Sequence, residues 1–391
     1  MLAFLVCFVA NTCIITPVRR LWAKSPASQS SLFAFERNGR VGFIDSKGKI
    51  VIDPAIHARI EAVGDFVDGW ARVDHRGYID QAGKWISQRD YAWTYDYSDG
   101  VAVVELNDPA EKSGRIGKVM DTSGKEVGTL PIFRTSEFSE GLAAYEAEGK
   151  PSIRSFQPGN FIYRDYPGPK GFLDKTGKVA IKATFADVGR FRTGLARAVL
   201  DGYCHIARPD GSIEGSPMSG YPTDCGGAPS DAFSPCKVGF INLEGKFVIP
   251  PIFESAQDFE EGLAAVRVNG RWGFIDRTGA LVIPPQFEQA QSFREGLAGV
   301  KVNGNWGFTD PSGALRIPAR FENVEPFSDS LAIAYFGKRP LFINRDGETQ
   351  IAGRYREVTP FVHGLAAVLL NDKHVAYINH TGKHVFDYYR Q

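Results

Sequence analysis

Apolar and polar residues alternate over short stretches along most of the chain, a pattern typical of β-strands. Val266-Arg267-Val268 alternates, Asn269-Gly270 follows, and a second apolar-rich run continues to Ile275. Asn-Gly between two such runs is the strongest local signal for a hairpin, because both central residues of the favoured turn need positive φ. These residues therefore predict two antiparallel strands joined by a tight turn.

A third strand and a linker complete this unit. In Asp276–Gly279 the aspartate can bond the backbone two residues on, and the glycine can close the turn in the left-handed conformation. Leu281-Val282-Ile283 then begins a third strand, which Pro284-Pro285 ends because proline cannot donate to a sheet. Apolar residues recur every third position in the linker, at Phe287, Ala290 and Phe293. The unit is predicted to be a three-stranded meander plus a linker whose apolar residues fill the gap between units.

The unit repeats along the chain. Residues 262–295 match residues 296–329 position by position, with a period of 34 residues. A glycine closes a turn in ten successive copies, at Gly48, Gly83, Gly124, Gly177, Gly211, Gly245, Gly279, Gly313, Gly347 and Gly382. At roughly 150 residues per domain the length predicts two or three domains. A single repeat array over residues 31–391 replaces that expectation, because such repeats complete each other's core.

The fold class follows from the copy number and the period. We predict an all-β array of about ten 34-residue β-meander units. An open solenoid or superhelix is favoured, because propeller blades usually have about 40–45 residues and number about four to eight. A β-propeller is the alternative.

The consensus of these units resembles the bacterial WG-repeat family. Its defining dipeptide is present at Trp272-Gly273 and Trp306-Gly307, followed by the turn residues Asp276, Gly279, Asp310 and Gly313. Other copies depart from it, at Val41-Gly42, Cys204-His205, Val238-Gly239, Pro340-Leu341 and Val375-Ala376. The resemblance implies β-rich repeats, often on exported or envelope-associated proteins, and no general catalytic residues.

The N-terminal 30 residues differ from the repeats. Met1–Ala10 is apolar apart from Cys7, which is too short for a transmembrane helix of about 20 residues. A signal-like segment and linker over 1–30 fits better, although Arg19-Arg20 follows the apolar run instead of preceding it. We expect an exported protein (periplasmic, envelope-associated or secreted) that is not an integral membrane protein; a cytoplasmic location is the alternative.

The balance of charge and the absence of catalytic motifs reduce the number of functions that the sequence allows. Lys plus Arg equals Asp plus Glu at 45 each, which argues against nucleic acid as a partner. Motifs for nucleophilic serine, zinc proteolysis and nucleotide binding are absent, so no enzyme activity and no cofactor are predicted. We predict no metal site either, although four histidines lie in the last unit: His363, His374, His380 and His384.

Two departures from the repeat are the candidate functional segments. The step from Gly124 to Gly177 is 53 residues, which indicates an insertion near 150–169. It contains aromatic and arginine side chains of the kind found in binding hot spots: Arg154, Phe156, Phe161, Tyr163, Arg164 and Tyr166. Alternatively, this segment is a long hairpin whose aromatic residues pack on the neighbouring unit.

The second departure is a degenerate unit near 203–236, rich in Gly, Pro and Ser. In an exported protein we expect a disulfide between Cys225 and Cys236, with pairing of Cys204 to either one as the rival. A zinc site is disfavoured because no C-x-x-C spacing occurs.

These features predict a non-catalytic scaffold that binds a protein or glycan partner at the bacterial envelope or outside the cell. A glycan-active or hydrolytic enzyme with its site between repeats is one alternative. An intracellular interaction scaffold is the other.

Overall fold

The computed structural model describes residues 32–110, 115–130, 135–147, 151–157, 160–165, 168–200, 206–207, 213–214, 237–337 and 339–390. Backbone alone is described for 151–165 within that range and for 206–207 and 213–214. Over the described residues the chain forms strands and one 3-10 turn at Ile60–Ala62. The all-β class is confirmed.

Eight main sheets follow one another along the described part of the chain. The first three consist of β1 (Phe33–Arg37), β2 (Arg40–Ile44) and β3 (Ile50–Ile56); β4 (Val63–Val67), β5 (Trp70–Val73), β6 (Gly77–Asp80) and β7 (Trp85–Gln88); and β8 (Trp93–Thr94), β9 (Val101–Asn107), β10 (Arg115–Asp121) and β11 (Glu126–Leu130). Next along the chain are β12 (Leu142–Glu146), β13 (Pro151–Gln157), β14 (Asn160–Asp165), β15 (Lys170–Asp174), β16 (Val179–Val188), β17 (Ala196–Leu200), β18 (Ile206–Ala207), β19 (Ile213–Glu214), β20 (Val238–Ile241) and β21 (Phe247–Phe253). Of these ten strands, six form one sheet in the order β12-β15-β16-β17-β20-β21, and β13-β14 and β18-β19 are separate hairpins.

The last four sheets have four strands each. They are β22 (Ser255–Ala256), β23 (Ala264–Val268), β24 (Arg271–Ile275) and β25 (Leu281–Phe287); β26 (Gln289–Ala290), β27 (Ala298–Val302), β28 (Asn305–Thr309) and β29 (Leu315–Phe321); β30 (Asn323–Val324), β31 (Ala332–Phe336), β32 (Arg339–Ile343) and β33 (Thr349–Ala352); and β34 (Glu357–Val358), β35 (Leu365–Leu369), β36 (His374–Asn379) and β37 (His384–Tyr389).

Each unit passes directly into the next. One residue, Glu288, separates β25 from β26, so the last strand of one sheet leads straight into the first strand of the following sheet. In β16 the same passage occurs without a break, because β16 pairs with β15 near its start and with β17 near its end. The six-stranded sheet therefore spans two repeat units.

The two ends of the array meet. The ring of Phe33 in β1 lies 5.5 Å from that of Tyr377 in β36, and Phe35 contacts Phe386 in β37 edge to face at 4.9 Å. Tyr377 Oη also donates a hydrogen bond to the Ala34 carbonyl at 2.6 Å. The first and last sheets thus share one apolar core.

The contact at this junction is the one made between all neighbouring units. A turn glycine packs so closely on the last strand of the preceding unit that an added Cβ would lie between 1.9 and 3.2 Å from it. These pairs are Gly83–Ile52, Gly124–Ile86, Gly177–Thr129, Gly245–Ile181, Gly279–Ile249, Gly313–Ile283, Gly347–Ile317 and Gly382–Ile351. Gly48 of the first unit meets Val385 of the last in the same way, at 2.6 Å from its carbonyl oxygen. The units therefore form a closed β-propeller ring.

The prediction of an open solenoid or superhelix is wrong. A 34-residue unit is long enough for a four-stranded sheet because the strand that ends one unit continues into the next, with one residue between them. The number of repeat units in the ring also differs from the ten turn glycines counted in the sequence. Gly211 lies outside the described residues, between β17 and β20, and those two strands pair directly with each other.

The Trp-Gly dipeptide is a packing feature. Trp272 is buried and pairs opposite Phe287 across β24 and β25. A Cβ on Gly273 would lie 2.5 Å from the Ile283 carbonyl oxygen, so only glycine lets β25 approach at its irregular proline segment. The equivalent residues Trp306 and Gly307 make the same contacts with β29.

The turn between the third and fourth strands of a complete sheet is held by its aspartate. Asp276 Oδ1 accepts hydrogen bonds from the backbone amides of Thr278 and Ala280, and Gly279 adopts φ +88°. In the next unit, a hydrogen bond from the Ser312 hydroxyl is the main cause that lowers the pKa of Asp310 to about 2. Gly313 closes that turn at φ +86°. These aspartate carboxylates accept hydrogen bonds within their own turns and thereby stabilise them.

A second set of turns forms a belt that joins neighbouring units. In six of the described units, a turn residue in left-handed conformation carries a carboxylate that accepts a hydrogen bond from the equivalent turn of the next unit at 2.5 to 3.0 Å. The pairs are Asp68–Gly100, Asp99–Gly141, Glu140–Gly194, Glu261–Gly296, Glu295–Ser330 and Asp329–Gly364. Thr193 occupies the belt position before Gly262 and carries no carboxylate.

Restoring that carboxylate should stabilise the ring. Thr193 has φ 51°, matching Glu140 at 53° and Glu261 at 52°, so Thr193→Glu requires no new backbone conformation. We expect the free energy of unfolding to rise by about 1 kcal/mol, since hydrogen bonds to charged groups contribute about 1.5–3 kcal/mol and exposure reduces this. Chemical denaturation checks it, with Thr193→Gln as the uncharged control. Equal stability of the Glu and Gln variants would contradict the role of the charge.

Candidate functional site

Both candidate segments are inserted at the same structural position. In a regular unit the second and third members of the sheet, such as β23 and β24, are joined by the two-residue turn Asn269–Gly270. Between β12 and β15 the chain instead runs through the hairpin β13-β14. Between β17 and β20 it runs through residues 201–237, which include β18 and β19. Two neighbouring units therefore carry long insertions in place of the same short turn.

The six-stranded sheet connects the two insertions. β12 and β15 continue through β16 to β17 and β20 in one hydrogen-bonded order. Because antiparallel pairs β12-β15 and β17-β20 are equivalent members of adjacent units, their turns leave the same edge of the ring. The ends of the strands that flank the two insertions therefore lie at the same edge of the ring.

The predicted binding residues of the first insertion lie mostly on paired strands. Phe161 pairs opposite Phe156, Tyr163 opposite Ile153 and Arg164 opposite Ser152. Arg154 falls within the irregular part of β13, between Ile153 and Phe156. Their side chains and Tyr166 lie outside the described residues, as do Cys204, Cys225 and Cys236 of the second insertion.

A chain of charged residues crosses strands β15, β16 and β17, which flank the insertions. Lys170, the first residue of β15, contacts Asp187 of β16, which also binds Arg197 of β17 at 3.0 Å. Arg197 lies 3.8 Å from Asp258 of the next unit. Burial opposes ionisation of Asp187, yet the charges of Arg197 and Lys170 hold its pKa below the ordinary value.

Asp258 has the opposite shift. Burial raises the pKa of its carboxyl, and this outweighs the opposing effect of the Arg197 charge, although a third of the side chain remains exposed. Among the residues that the structure describes, its Oδ1 atom has no hydrogen-bond partner. Nearby, Arg190 pairs with Glu137 at 2.9 Å, and burial lowers the pKa of Arg190. These charges join three consecutive units and position the strands from which the insertions emerge.

Sequence reasoning missed this chain of charges. Arg197 occupies a strand position where most other units have small or aliphatic residues, such as Ala265, Gly299 and Ile333. Arg72 stands at the same position in another unit and binds Asp96 of the following unit at 2.7 Å. An arginine at an otherwise apolar repeat position, with glycine eight residues before it, is the signal that would have found both.

The histidines of the last unit are divided between two places. His374 Nε2 and His384 Nδ1 lie 2.8 and 3.1 Å from Asp387 Oδ1. His380 Nε2 lies 2.8 Å from the Asp329 carbonyl oxygen and stacks on Phe361, and His363 occupies a belt position with φ 48°. Over the described ranges, no three His, Cys, Asp or Glu residues are grouped as metal ligands. Likewise, no helix in the described part is long and apolar enough to span a membrane.

The repeated meander, its Trp-Gly packing and the closed ring define a β-propeller scaffold assembled from WG-type units. The profile of the family described as WG containing repeat matches residues 42–75, 77–108, 171–204, 239–272, 272–306, 306–338 and 342–373. These matches cover more than half of the sequence. The chain belongs to the WG-repeat family.

Similarity to one solved structure of comparable length supports the fold alone. A crystal structure of a eukaryotic initiation factor is similar with a TM-score of 0.57 and 11% identity, covering 93% of this chain and 96% of that one. The BamB structure from Moraxella catarrhalis is similar with a TM-score of 0.41 and 11% identity, covering 76% of this chain and 87% of that one. No curated protein sequence matches the chain.

Proposed function

We propose that this protein is a non-catalytic scaffold that binds a protein or glycan partner at the bacterial envelope or outside the cell. The observation that carries the proposal is the placement of two long insertions at equivalent turns of adjacent units. Loops displayed side by side from a rigid scaffold are common binding surfaces. The other described units join the equivalent strands by two to seven residues, so the two long insertions are local to adjacent units of the ring.

The charged residues below the insertions support a binding role. Lys170, Asp187 and Arg197 hold strands β15, β16 and β17 in fixed relation, which limits the order that the surface must gain on binding. The repeated aspartates and glutamates serve turns and the belt between units. The scaffold therefore uses its recurrent charges for its own rigidity.

Exchange of the insertions for regular turns tests the proposal. One variant replaces residues 148–168 by Asn-Gly and another replaces 201–236 by Asn-Gly, which reproduces the turn at Asn269–Gly270. Ala147 N already donates to the Pro169 carbonyl at 2.8 Å, so the strands meet correctly for a short turn. We expect at least one variant to lose capture of a partner from envelope and secreted fractions while the ring still unfolds in one transition.

A matched control lengthens an equivalent turn elsewhere, at Asn303–Gly304, with a Gly-Ser loop. This control should retain the captured partner. Mass spectrometry of proteins and released glycans distinguishes the two partner classes. Retention of every captured species by a variant lacking both insertions would refute the proposed surface, and turnover of a captured glycan by the intact chain would refute the non-catalytic role.

A further inference from the structure

Carboxylates balance the charge where the hairpin turns meet the linkers between units. Glu254, Glu288 and Glu322 lie in linkers, and each accepts a hydrogen bond from the amide of a turn glycine at 2.8 to 3.0 Å. Glu288 also lies 4.0 Å from the guanidinium group of Arg271, which follows the Asn-Gly turn of the preceding unit. Such a linker glutamate stabilises the turn of its own unit and partly neutralises an arginine of the unit before it.

The first linkers of the ring lack this carboxylate. In the later units the linker glutamate is the ninth residue after a turn glycine, as Glu254 is after Gly245. The ninth residues after the first two turn glycines are His57 and Ala92. The Ala92 amide donates to the Glu105 carbonyl at 2.8 Å, which is the bond that the Glu254 amide makes in its own sheet at 3.0 Å. The alignment therefore holds in the structure, and two consecutive linkers carry no acidic side chain at this position.

Arg40 shows the consequence of this difference for the first unit. Arg40 is equivalent to Arg271, because each directly follows an Asn-Gly turn, but the linker residue at the position of Glu288 is here His57. Within the described ranges Arg40 forms no ion pair, and neither does Arg59 in the same linker. Both arginines are exposed. The first unit therefore presents arginine charge that a regular unit partly cancels.

More cations lie around this linker in the second unit. The Arg76 guanidinium group donates to the His57 carbonyl at 3.0 Å, and the Arg89 amide donates to the Arg76 carbonyl at 3.2 Å. His75 lies beside Arg76 in the turn, and its ring meets that of Trp93 edge to face at 5.2 Å. Trp93 is 40% exposed. An exposed indole ring therefore lies next to several cations.

The name basic edge is used for the turn and linker residues 37–40, 57–62, 74–76 and 89–93. Its exposed arginines are Arg37, Arg40, Arg59, Arg76 and Arg89, and its exposed acidic residues are Glu61 and Asp90. Asp74 pairs with Arg72 of its own sheet, and Glu126 lies 3.5 Å from Arg89. The balanced charge of the whole chain therefore conceals a local excess of positive charge.

The chemistry of the basic edge fits a polymer of acidic sugars. Guanidinium groups bind carboxylates through paired hydrogen bonds, and the arginines recur from one unit to the next. The exposed indole of Trp93 offers an apolar surface for the C–H face of a pyranose ring. An extended peptide would need a free strand edge. The backbone of the turn is already bonded, for example by the Tyr91 amide to the His75 carbonyl at 3.0 Å.

We propose that the basic edge binds an acidic polysaccharide, whose carboxylates contact Arg40, Arg59 and Arg76 and whose sugar rings stack on Trp93. The basic edge extends from the first unit to the start of the third, whereas both insertions lie beyond the third sheet. This binding goes beyond the proposed function and does not require that the insertions bind a partner.

Binding of polygalacturonate to the full chain tests the proposal, with Arg40→Gln and Arg271→Gln as a matched pair. We expect Arg40→Gln to weaken binding about fivefold, the upper range for an exposed ion pair, and Arg271→Gln to leave it unchanged. Trp93→Ala should weaken binding about tenfold, as for a tryptophan in a binding hot spot. Trp93→Tyr keeps an aromatic face and should retain binding, which separates stacking from misfolding. Added salt should weaken binding throughout, because it screens exposed charges.

Salt-sensitive binding that Arg40→Gln weakens and Arg271→Gln does not would support the basic edge. Absence of binding to polygalacturonate, or equal effects of the two arginine variants, would overturn it. Poly-glutamate or DNA bound as tightly as polygalacturonate would show recognition of charge alone and overturn the polysaccharide as the ligand. Loss of polygalacturonate binding when both insertions are exchanged for Asn-Gly turns would place the site on the insertions and overturn its assignment to the basic edge.

Discussion

Gly48→Ala is expected to destabilise the whole protein, because Gly48 lies where the first unit meets the last. Gly48 has φ +81°, a conformation that costs an alanine about 1–2 kcal/mol. An added Cβ would lie 2.6 Å from the Val385 carbonyl oxygen, and relief of such overpacking adds about 1–3 kcal/mol. Chemical denaturation should therefore show a loss of about 2–5 kcal/mol in the free energy of unfolding.

Gly69→Ala provides the matched control. Gly69 has φ +87°, but an added Cβ would meet nothing within 4 Å, so only the conformational cost of about 1–2 kcal/mol applies. The difference between the two variants isolates the contact between the ends of the array. If both variants lost the same stability, the junction at Val385 would not be formed in solution.

The local structure could be predicted from the sequence because its signals are local. Asn269-Gly270 and Asp276–Gly279 specify their turns by conformational preference, and the period of 34 residues specifies one fold for the whole chain. Closure depends on how each unit is rotated relative to the next. That rotation arises from contacts such as Gly279 with Ile249, whose partners lie in different units.

The belt of hydrogen bonds between units is harder to predict from the sequence than the turns are. Asp or Glu recurs directly before glycine at Asp68, Asp99, Glu140, Glu261 and Glu295, which by itself also fits an ordinary tight turn. The acceptor role becomes visible only when the next turn is placed within 3.0 Å. The charged chain of Lys170, Asp187 and Arg197 was missed for the same reason, because its members lie on three strands.

Phe308→Ala is expected to reduce the stability of the entire ring and not only of its own unit. Phe308 is fully buried and contacts Phe327 edge to face at 4.9 Å. Truncation of such a side chain leaves a cavity and costs about 3–5 kcal/mol. In an open array the units beyond a weakened one can unfold separately, because stability is a sum of neighbouring contacts. In a closed ring every unit has two neighbours, so loss of one unit breaks both of its interfaces, and we expect one cooperative transition at lower denaturant.

Phe336→Ala is the control for this prediction, since Phe336 is 48% exposed and its ring lies 5.2 Å from that of Phe321. Its replacement should cost about 1 kcal/mol, close to the contribution of one aromatic pair. Circular dichroism and tryptophan fluorescence should report the same midpoint for Phe308→Ala, because coincident transitions by independent probes indicate two-state unfolding. Two separated transitions in this variant would show that the units unfold independently, and the cooperativity assigned to ring closure would then be absent.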